Sequence, residues 1–170
     1  MNKIAVFGSA FNPPTLGHKS VIDALSHFDL VLLVPSISHA WGKKMIDYKL
    51  RCNMVNLFID DIGTTNLLLS DIEKDIQVND EPVTTFDVLN AIQEKYSDAD
   101  ITFVVGPDNI LNFHSFHKAD TILKNWSVLS CPEKVNIRST HVRERLLSNE
   151  SIESLTTPQV VSFIQQHHCF

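Results

Sequence analysis

Val6-Phe7-Gly8-Ser9-Ala10-Phe11-Asn12-Pro13-Pro14-Thr15-Leu16-Gly17-His18 is the stretch whose reading decides the fold. An apolar run, Lys3 to Phe7, leads into residues with almost no side chain, then an Asn-Pro-Pro turn, then Gly17-His18 at the opening of an amphipathic segment. The run shows no alternation, as expected of a strand buried on both faces of a parallel sheet. Gly8, Ser9 and Ala10 would let a ligand approach their backbone N–H groups closely. The helix that follows directs its positive end at the same spot, which favours an anion. Strand, bare loop and helix start compose either a phosphate-binding turn or, with no ligand, a tight strand-to-helix connection. It is not the Walker loop, because no Gly-Lys-Ser/Thr follows, nor the dinucleotide fingerprint, because no Gly-x-Gly-x-x-Gly occurs.

Outward from this stretch, strand and helix patterns alternate. Ser20, Val21, Ile22, Ala24, Leu25 and Phe28 recur at helical spacing, and Leu30 to Val34 is a second buried strand ending at Pro35. Two such strands joined by a helix make a right-handed βαβ unit. Ser36 to Asp47 is a polar loop containing His39, Trp41, Lys43 and Lys44, and it leaves the strand edge where open α/β sheets bind ligands. Tyr48 to Ile59 reads as a helix through Leu50, Met54, Val55, Leu57 and Phe58, with Arg51 on its polar side. Asn66 to Ile72 holds a third strand at Leu67 to Leu69, and Asp75 to Pro82 reads as loop or hairpin. Val83 to Tyr96 is a helix with Thr84 and Thr85 suited to its cap. Ile101 to Val105 is a strand closed by Gly106-Pro107-Asp108. One or two short helices over Asn109 to Lys124 and a final strand over Trp126 to Cys131 follow. Ser139-Thr140 caps a helix running to Leu147, and Thr157-Pro158 starts the last helix. The pattern predicts an α/β fold, a Rossmann-like doubly wound parallel sheet with helices on both faces. It forms one domain over residues 1–170, on which a C-terminal helical part of about 139–170 packs.

Bulk properties narrow the function classes. Twenty acidic against fourteen basic residues give a net charge of −6, which argues against a general nucleic-acid binder. Cys52, Cys131 and Cys169 show no pairing pattern, which fits a reduced, cytoplasmic compartment. The N-terminal apolar run is too short for a signal peptide, and no run is long enough to span a membrane.

In a parallel sheet the strand C-termini share one edge, so Gly8–His18, Gly106–Asp108 and Ile137–Arg143 converge. His18, in the first turn of a helix whose dipole favours its neutral form, either donates to a phosphate oxygen or packs on the neighbouring loop. Arg143 follows Thr140 by three residues and shares its face, so with Ser139 the three can hold a polyphosphate or form an ordinary cap with a surface Arg. Lys43 and Lys44 reach the cleft or stay solvated; Asp108 accepts from a ribose hydroxyl, orients a metal-bound water or caps a helix. His114 and His117 have metal-compatible spacing without an evident third ligand.

Together these residues resemble the nicotinate/nicotinamide mononucleotide adenylyltransferases, within the nucleotidyltransferase superfamily marked by His-x-Gly-His. The family's N-terminal pattern matches Gly8 to His18, its Ile-Ser-Ser/Thr-x-Ile-Arg pattern matches Ile137 to Arg143, its Gly-x-Asp matches Gly106 to Asp108, and its mid-chain helix Thr matches Thr85. The resemblance implies attack by a mononucleotide phosphate on the α-phosphate of ATP, with Mg²⁺ entering on the ATP and not on protein side chains. It also implies that no covalent intermediate forms, so that catalysis is alignment and charge stabilisation. Its partners would be ATP and a pyridine mononucleotide. By the same resemblance, the backbone of Gly8, Ser9, Ala10 and Phe11 cradles phosphates and His18 contacts the α-phosphate. Ser139, Thr140 and Arg143 hold the β- and γ-phosphates, and Lys43 or Lys44 contacts phosphate. Gly106 and Asp108 flank the ribose, while Trp41, Thr85 and Phe116 shape the acceptor pocket. Three positions depart from the pattern: Thr15 stands for the first histidine and would donate by its hydroxyl, Arg138 replaces a small Ser, and Phe116 replaces a Trp. Other acceptors within the superfamily, such as phosphopantetheine or an alcohol phosphate in a cytidylyl transfer, and a nucleotide sensor without turnover are the competing readings.

Overall fold

A computed structural model describes residues 2–39, 42 and 44–170. The chain begins with β1 (Lys3–Ser9), α1 (Leu16–Asp23), β2 (Leu30–Pro35), α2 (Tyr48–Ile62), β3 (Leu67–Leu69), α3 (Ile72–Ile76) and α4 (Thr85–Lys95). It continues with β4 (Asp100–Val105), α5 (Pro107–Leu111), a 3₁₀ turn (Phe113–Ser115), α6 (Ala119–Asn125), β5 (Ser127–Ser130), α7 (Ser139–Leu147) and α8 (Pro158–His167). The five strands form one sheet in the order β3-β2-β1-β4-β5, parallel throughout. The order reverses between β1 and β4, and this switch point opens a crevice at the strands' C-terminal edge.

The unbroken apolar runs of the strands reflect burial on both faces. Ala5 and Phe7 of β1 with Val31 and Leu33 of β2 face one core, shared with Met54, Val55 and Phe58 of α2, Val142 of α7 and Val160, Val161 and Ile164 of α8. Ile4, Val6, Leu32 and Val34 face the other, against Val88, Leu89 and Ile92 of α4 and Ile122 of α6. Each such side chain stabilises the fold by roughly 1.5–3 kcal/mol.

Several boundaries differ from the sequence-based expectation. β1 runs on to Ser9, whose carbonyl accepts the Ser36 N–H, and α1 stops at Asp23, so Leu25 and Phe28 are buried from the turn after it. The short α3, with Asp71 at its cap position, begins at the end of the Asn66–Ile72 segment read around the third strand and runs one residue past Asp75, the start of the expected loop or hairpin. Thr84 caps α4 by accepting from the Asp87 N–H, and Thr85 is its first helical residue. Ser139 likewise lies inside α7, with Arg138 at the cap position.

Arg51 is the largest correction. It is not on a polar helix face: only 1% of it is exposed. Its Nε donates to the Ile46 carbonyl at 3.0 Å, and Nη1 donates to the carbonyls of Ala10 at 2.8 Å and Ser36 at 2.7 Å. Desolvation lowers its pKa, yet an arginine keeps its charge, and the carbonyl oxygens answer it. Replacing Arg51 by Met would fill the space but deprive the carbonyls of Ala10, Ser36 and Ile46 of their donor. Urea denaturation of Arg51→Met should show a loss of about 3–5 kcal/mol; a loss below about 1 kcal/mol would refute this account.

Candidate active site

The Ser9–Thr15 connection is a loop whose carbonyls are turned into the protein. Arg51 takes that of Ala10, Nη1 of Arg143 takes that of Asn12 at 2.7 Å, Ser139 Oγ takes that of Pro13 at 2.7 Å, and Thr156 Oγ1 takes that of Pro14 at 2.8 Å. Pro13 and Pro14 have no N–H, and among the described residues those of Ala10, Phe11 and Asn12 donate to no protein acceptor. Phe11 holds a positive φ of 48° with its ring fully buried, 4.8 Å from the His18 ring centroid. Carbonyls turned away from the cleft and unspent N–H groups are what an anion cradle requires.

His18 sits in this cradle with a defined tautomer. The Thr15 N–H donates to Nδ1 at 3.0 Å, so the ring proton lies on Nε2, 3.0 Å from Ser9 Oγ. His18 thereby takes the place of the acidic residue in a capping box at the start of α1. The residue is half-buried, and loss of water around its ring pushes its pKa down to about 4. Burial is the cause that acts here beside the helix start, and both favour the neutral ring. Thr15 is fully buried, and its hydroxyl, expected to donate, does so to the Ile137 carbonyl at 3.2 Å while accepting from the Gly17 and His18 N–H groups.

Gly17 explains how the two halves fit. A Cβ there would overlap the carbonyl oxygen of Ile137, so only glycine allows the residue 137 segment to lie against the first turn of α1. That contact delivers Ser139, Thr140 and Arg143 to the loop, with Arg143 Nη2 donating to Thr140 Oγ1 at 3.3 Å. Arg138 reaches the other way, donating to Asp108 at 3.0 Å and to Glu133 at 3.3 Å.

These groups line one cleft of about 600 Å³ at the switch point. Gly8, Ser9, Ala10, Thr15, His18, Lys44, Thr85, Gly106, Asp108, Phe116, Ser139, Thr140 and Arg143 all border it. Phe11 does not: its ring belongs to the core behind His18. Trp41 and Lys43 lie outside the described residues. Phe116 packs on Phe113 at 5.0 Å and edge-on to Phe103 at 6.3 Å, which fixes an apolar wall. Among the described residues no group of three or more His, Cys, Asp or Glu is placed to hold a metal, His114 and His117 included. No helix among them is long and apolar enough to cross a membrane.

Sequence reasoning missed Arg51, Glu73, Thr156 and the Asn12 side chain, whose Oδ1 accepts the Ile46 N–H at 3.3 Å. Arg51 carried a signal: it precedes Met54, Val55 and Phe58 by three, four and seven residues, the spacing of the buried stripe. Nothing local marks Glu73 or Thr156, whose partners are distant in the chain.

A family model described as cytidylyltransferase-like matches residues 6–152. The chain is 27% identical over 187 residues to the "Probable nicotinate-nucleotide adenylyltransferase" of Staphylococcus saprophyticus, covering 96% of this chain and 95% of that one. It is 26% identical over 196 residues to the protein so named in Caldicellulosiruptor saccharolyticus, covering 95% of each. A solved structure, "Putative Nicotinate-nucleotide Adenylyltransferase" from Vibrio parahaemolyticus, matches with a TM-score of 0.88 at 52% identity, covering 97% of this chain and 99% of that one. Plasmodium falciparum nicotinic acid mononucleotide adenylyltransferase, complexed with NaAD, shares the fold with a TM-score of 0.78 at 18% identity, covering 99% and 97%. With the sheet order, the glycine-tied seam and a family match across most of its length, the chain belongs to the cytidylyltransferase-like family.

Proposed function

We propose that the protein is an adenylyltransferase of NAD biosynthesis, joining the adenylyl group of ATP to nicotinate or nicotinamide mononucleotide. The observation that carries this reading is the single cleft wall made by the Ser9–His18 stretch and the Ser139–Arg143 turn, tied by Arg143 to Asn12 and by Ser139 to Pro13. The likeness to relatives named nicotinate-nucleotide adenylyltransferase supports the acceptor class.

In this reading a phosphate oxygen of the mononucleotide attacks the α-phosphorus of ATP, and the bond from that phosphorus to the β-bridging oxygen breaks, releasing pyrophosphate. The His18 Nε2–H, now facing Ser9 Oγ, turns to a non-bridging α-phosphate oxygen. The Ala10 and Phe11 N–H groups receive phosphate oxygens beside it, even though the Phe11 ring itself is core. Arg143, Ser139 and Thr140 bind the leaving β- and γ-phosphates, whose developing charge the guanidinium offsets. Lys44, exposed at the rim, supplies a further cation. Gly106 and Asp108 flank the ribose; Thr85 and Phe116 border the pyridine. Asp108 and Glu133 face Arg138, and the Ile37 N–H points at Glu73, so the cleft's carboxylates are dispersed. A divalent ion fits here as part of Mg-ATP, neutralising phosphate charge.

Pyrophosphate release with ATP and Mg²⁺ should appear with nicotinate or nicotinamide mononucleotide, and not with phosphopantetheine or with CTP in place of ATP. Silence with both pyridine acceptors would overturn the proposal. His18→Ala and Arg143→Ala should each lower kcat by about 10²–10⁴ with the fold retained. Near-normal turnover in either would remove that residue from the chemistry. The protonation state of His18 has a separate signature. Its folded pKa of about 4 lies below the ordinary 6.5, so its neutral form stabilises the fold fully above pH 6.5, and that contribution is lost as pH falls towards 4. The His18 imidazole NMR resonances should therefore stay flat from about pH 8 to pH 5, where an ordinary histidine titrates.

A further inference from the structure

Glu73 takes no part in the chemistry above, yet it borders the cleft with only 7% of its surface exposed. Its Oε2 accepts the Ile37 N–H at 2.6 Å, in the loop that follows β2. The same Ser36–Ile37 peptide is gripped from its other side by Arg51, which donates to the Ser36 carbonyl at 2.7 Å and the Ile37 carbonyl at 3.5 Å. Two buried side chains thus fix the first two residues of the loop, one through an N–H and one through the carbonyls. Beyond that clamp the loop brings His39, Lys44 and Met45 to the cleft and returns through Ile46, whose carbonyl also meets Arg51.

We infer that Glu73 is a positioning residue for the acceptor: by holding the Ile37 N–H it sets where residues 36–39 stand against the mononucleotide. The inference rests on the acceptor assignment made above. Glu73 rides on α3, which packs against α4, the helix whose first residue is Thr85, so one rigid pair supports both the loop and the acceptor wall. The phosphate loop has anchors of its own in Arg143, Ser139 and Thr156; Arg51 and Asn12 touch both segments, while Glu73 bonds the Ile37 side. A fault at Glu73 should therefore be felt mainly by the acceptor. Burial raises the Glu73 carboxyl to about 7, opposed by the Ile37 N–H and by Arg51. At neutral pH it is a mixture of neutral and ionised forms, and the bond it accepts does not require full charge.

The test is steady-state kinetics of Glu73→Met, Glu73→Asp and Glu73→Gln, with hydrogen exchange at the Ile37 amide in the substrate-free proteins. Met removes the acceptor, Asp withdraws it by one methylene, and Gln keeps an oxygen in its place. KM for the mononucleotide should rise about tenfold or more in Met and Asp, with kcat and KM for ATP within about threefold, and Gln should stay close to the parent. Ile37 exchange should quicken by a similar factor in Met and Asp and not in Gln. An equal rise in both KM values, unchanged KM with Met or Asp, or a Gln variant as impaired as Met would overturn the inference. If Met does not fold, Asp alone decides. If the parent protein turns over no pyridine mononucleotide, the functional proposal fails on that result, while unchanged Ile37 exchange in Asp separately overturns the positioning role.

Discussion

A loop that offers N–H groups to an anion must send its carbonyls the other way, into the protein, where each needs a donor. The Ala10–Pro14 segment meets that constraint with four side chains from three separate places: Arg51 on α2, Ser139 and Arg143 on α7, and Thr156 just before α8. Most of the fold's irregular features follow from it. Arg51 can be buried because the Ala10, Ser36 and Ile46 carbonyls answer it, and a guanidinium reaches several acceptors at once where a lysine would reach fewer. The C-terminal part of the chain closes over the loop and supplies donors to the carbonyls of Asn12, Pro13 and Pro14. The Leu16 N–H reinforces this by donating to the Leu155 carbonyl at 2.9 Å.

The same constraint links residues far apart in the chain. Gly17 lies against the Ile137 carbonyl, Thr15 donates to that carbonyl, and Ser139 lies two residues on. The groups proposed to bind phosphate, from the first and last thirds of the chain, are therefore brought together by contacts of the protein itself. Preassembly of this kind matters for a reaction with no covalent intermediate, where the rate depends on alignment and on fixed dipoles.

The architecture was readable in the sequence because β1, β2 and β4 are buried on both faces and announce themselves as unbroken apolar runs. The two motifs were readable because spacing alone puts them at one sheet edge. What was not readable depends on long-range partners. The Thr15 hydroxyl reads as a donor, but its acceptor, the Ile137 carbonyl, is distant in sequence. The neutral state of His18 follows from its place at a helix start, while its burial does not, since burial is a property of the packed loop. Arg51 is legible by period and not by type: it stands in the stripe of Met54, Val55 and Phe58, while its charge points to a solvated face.

A neutral His18 also fixes how charge must be shared across the cleft. With Nδ1 held by the Thr15 N–H, the ring can give one hydrogen bond and no positive charge. The charge that develops on a leaving pyrophosphate must then be met by other groups, and Arg138 is poorly placed for it while Asp108 and Glu133 offset its guanidinium. That leaves Arg143 and Lys44 among the described cations on the cleft, with the positive ends of α1 and α7 beside them. Arg143 is the one of these held in place by the loop it serves, through the Asn12 carbonyl. Geometry and charge therefore meet in a single side chain, so its loss should affect both the shape of the cradle and the stabilisation of the departing phosphates.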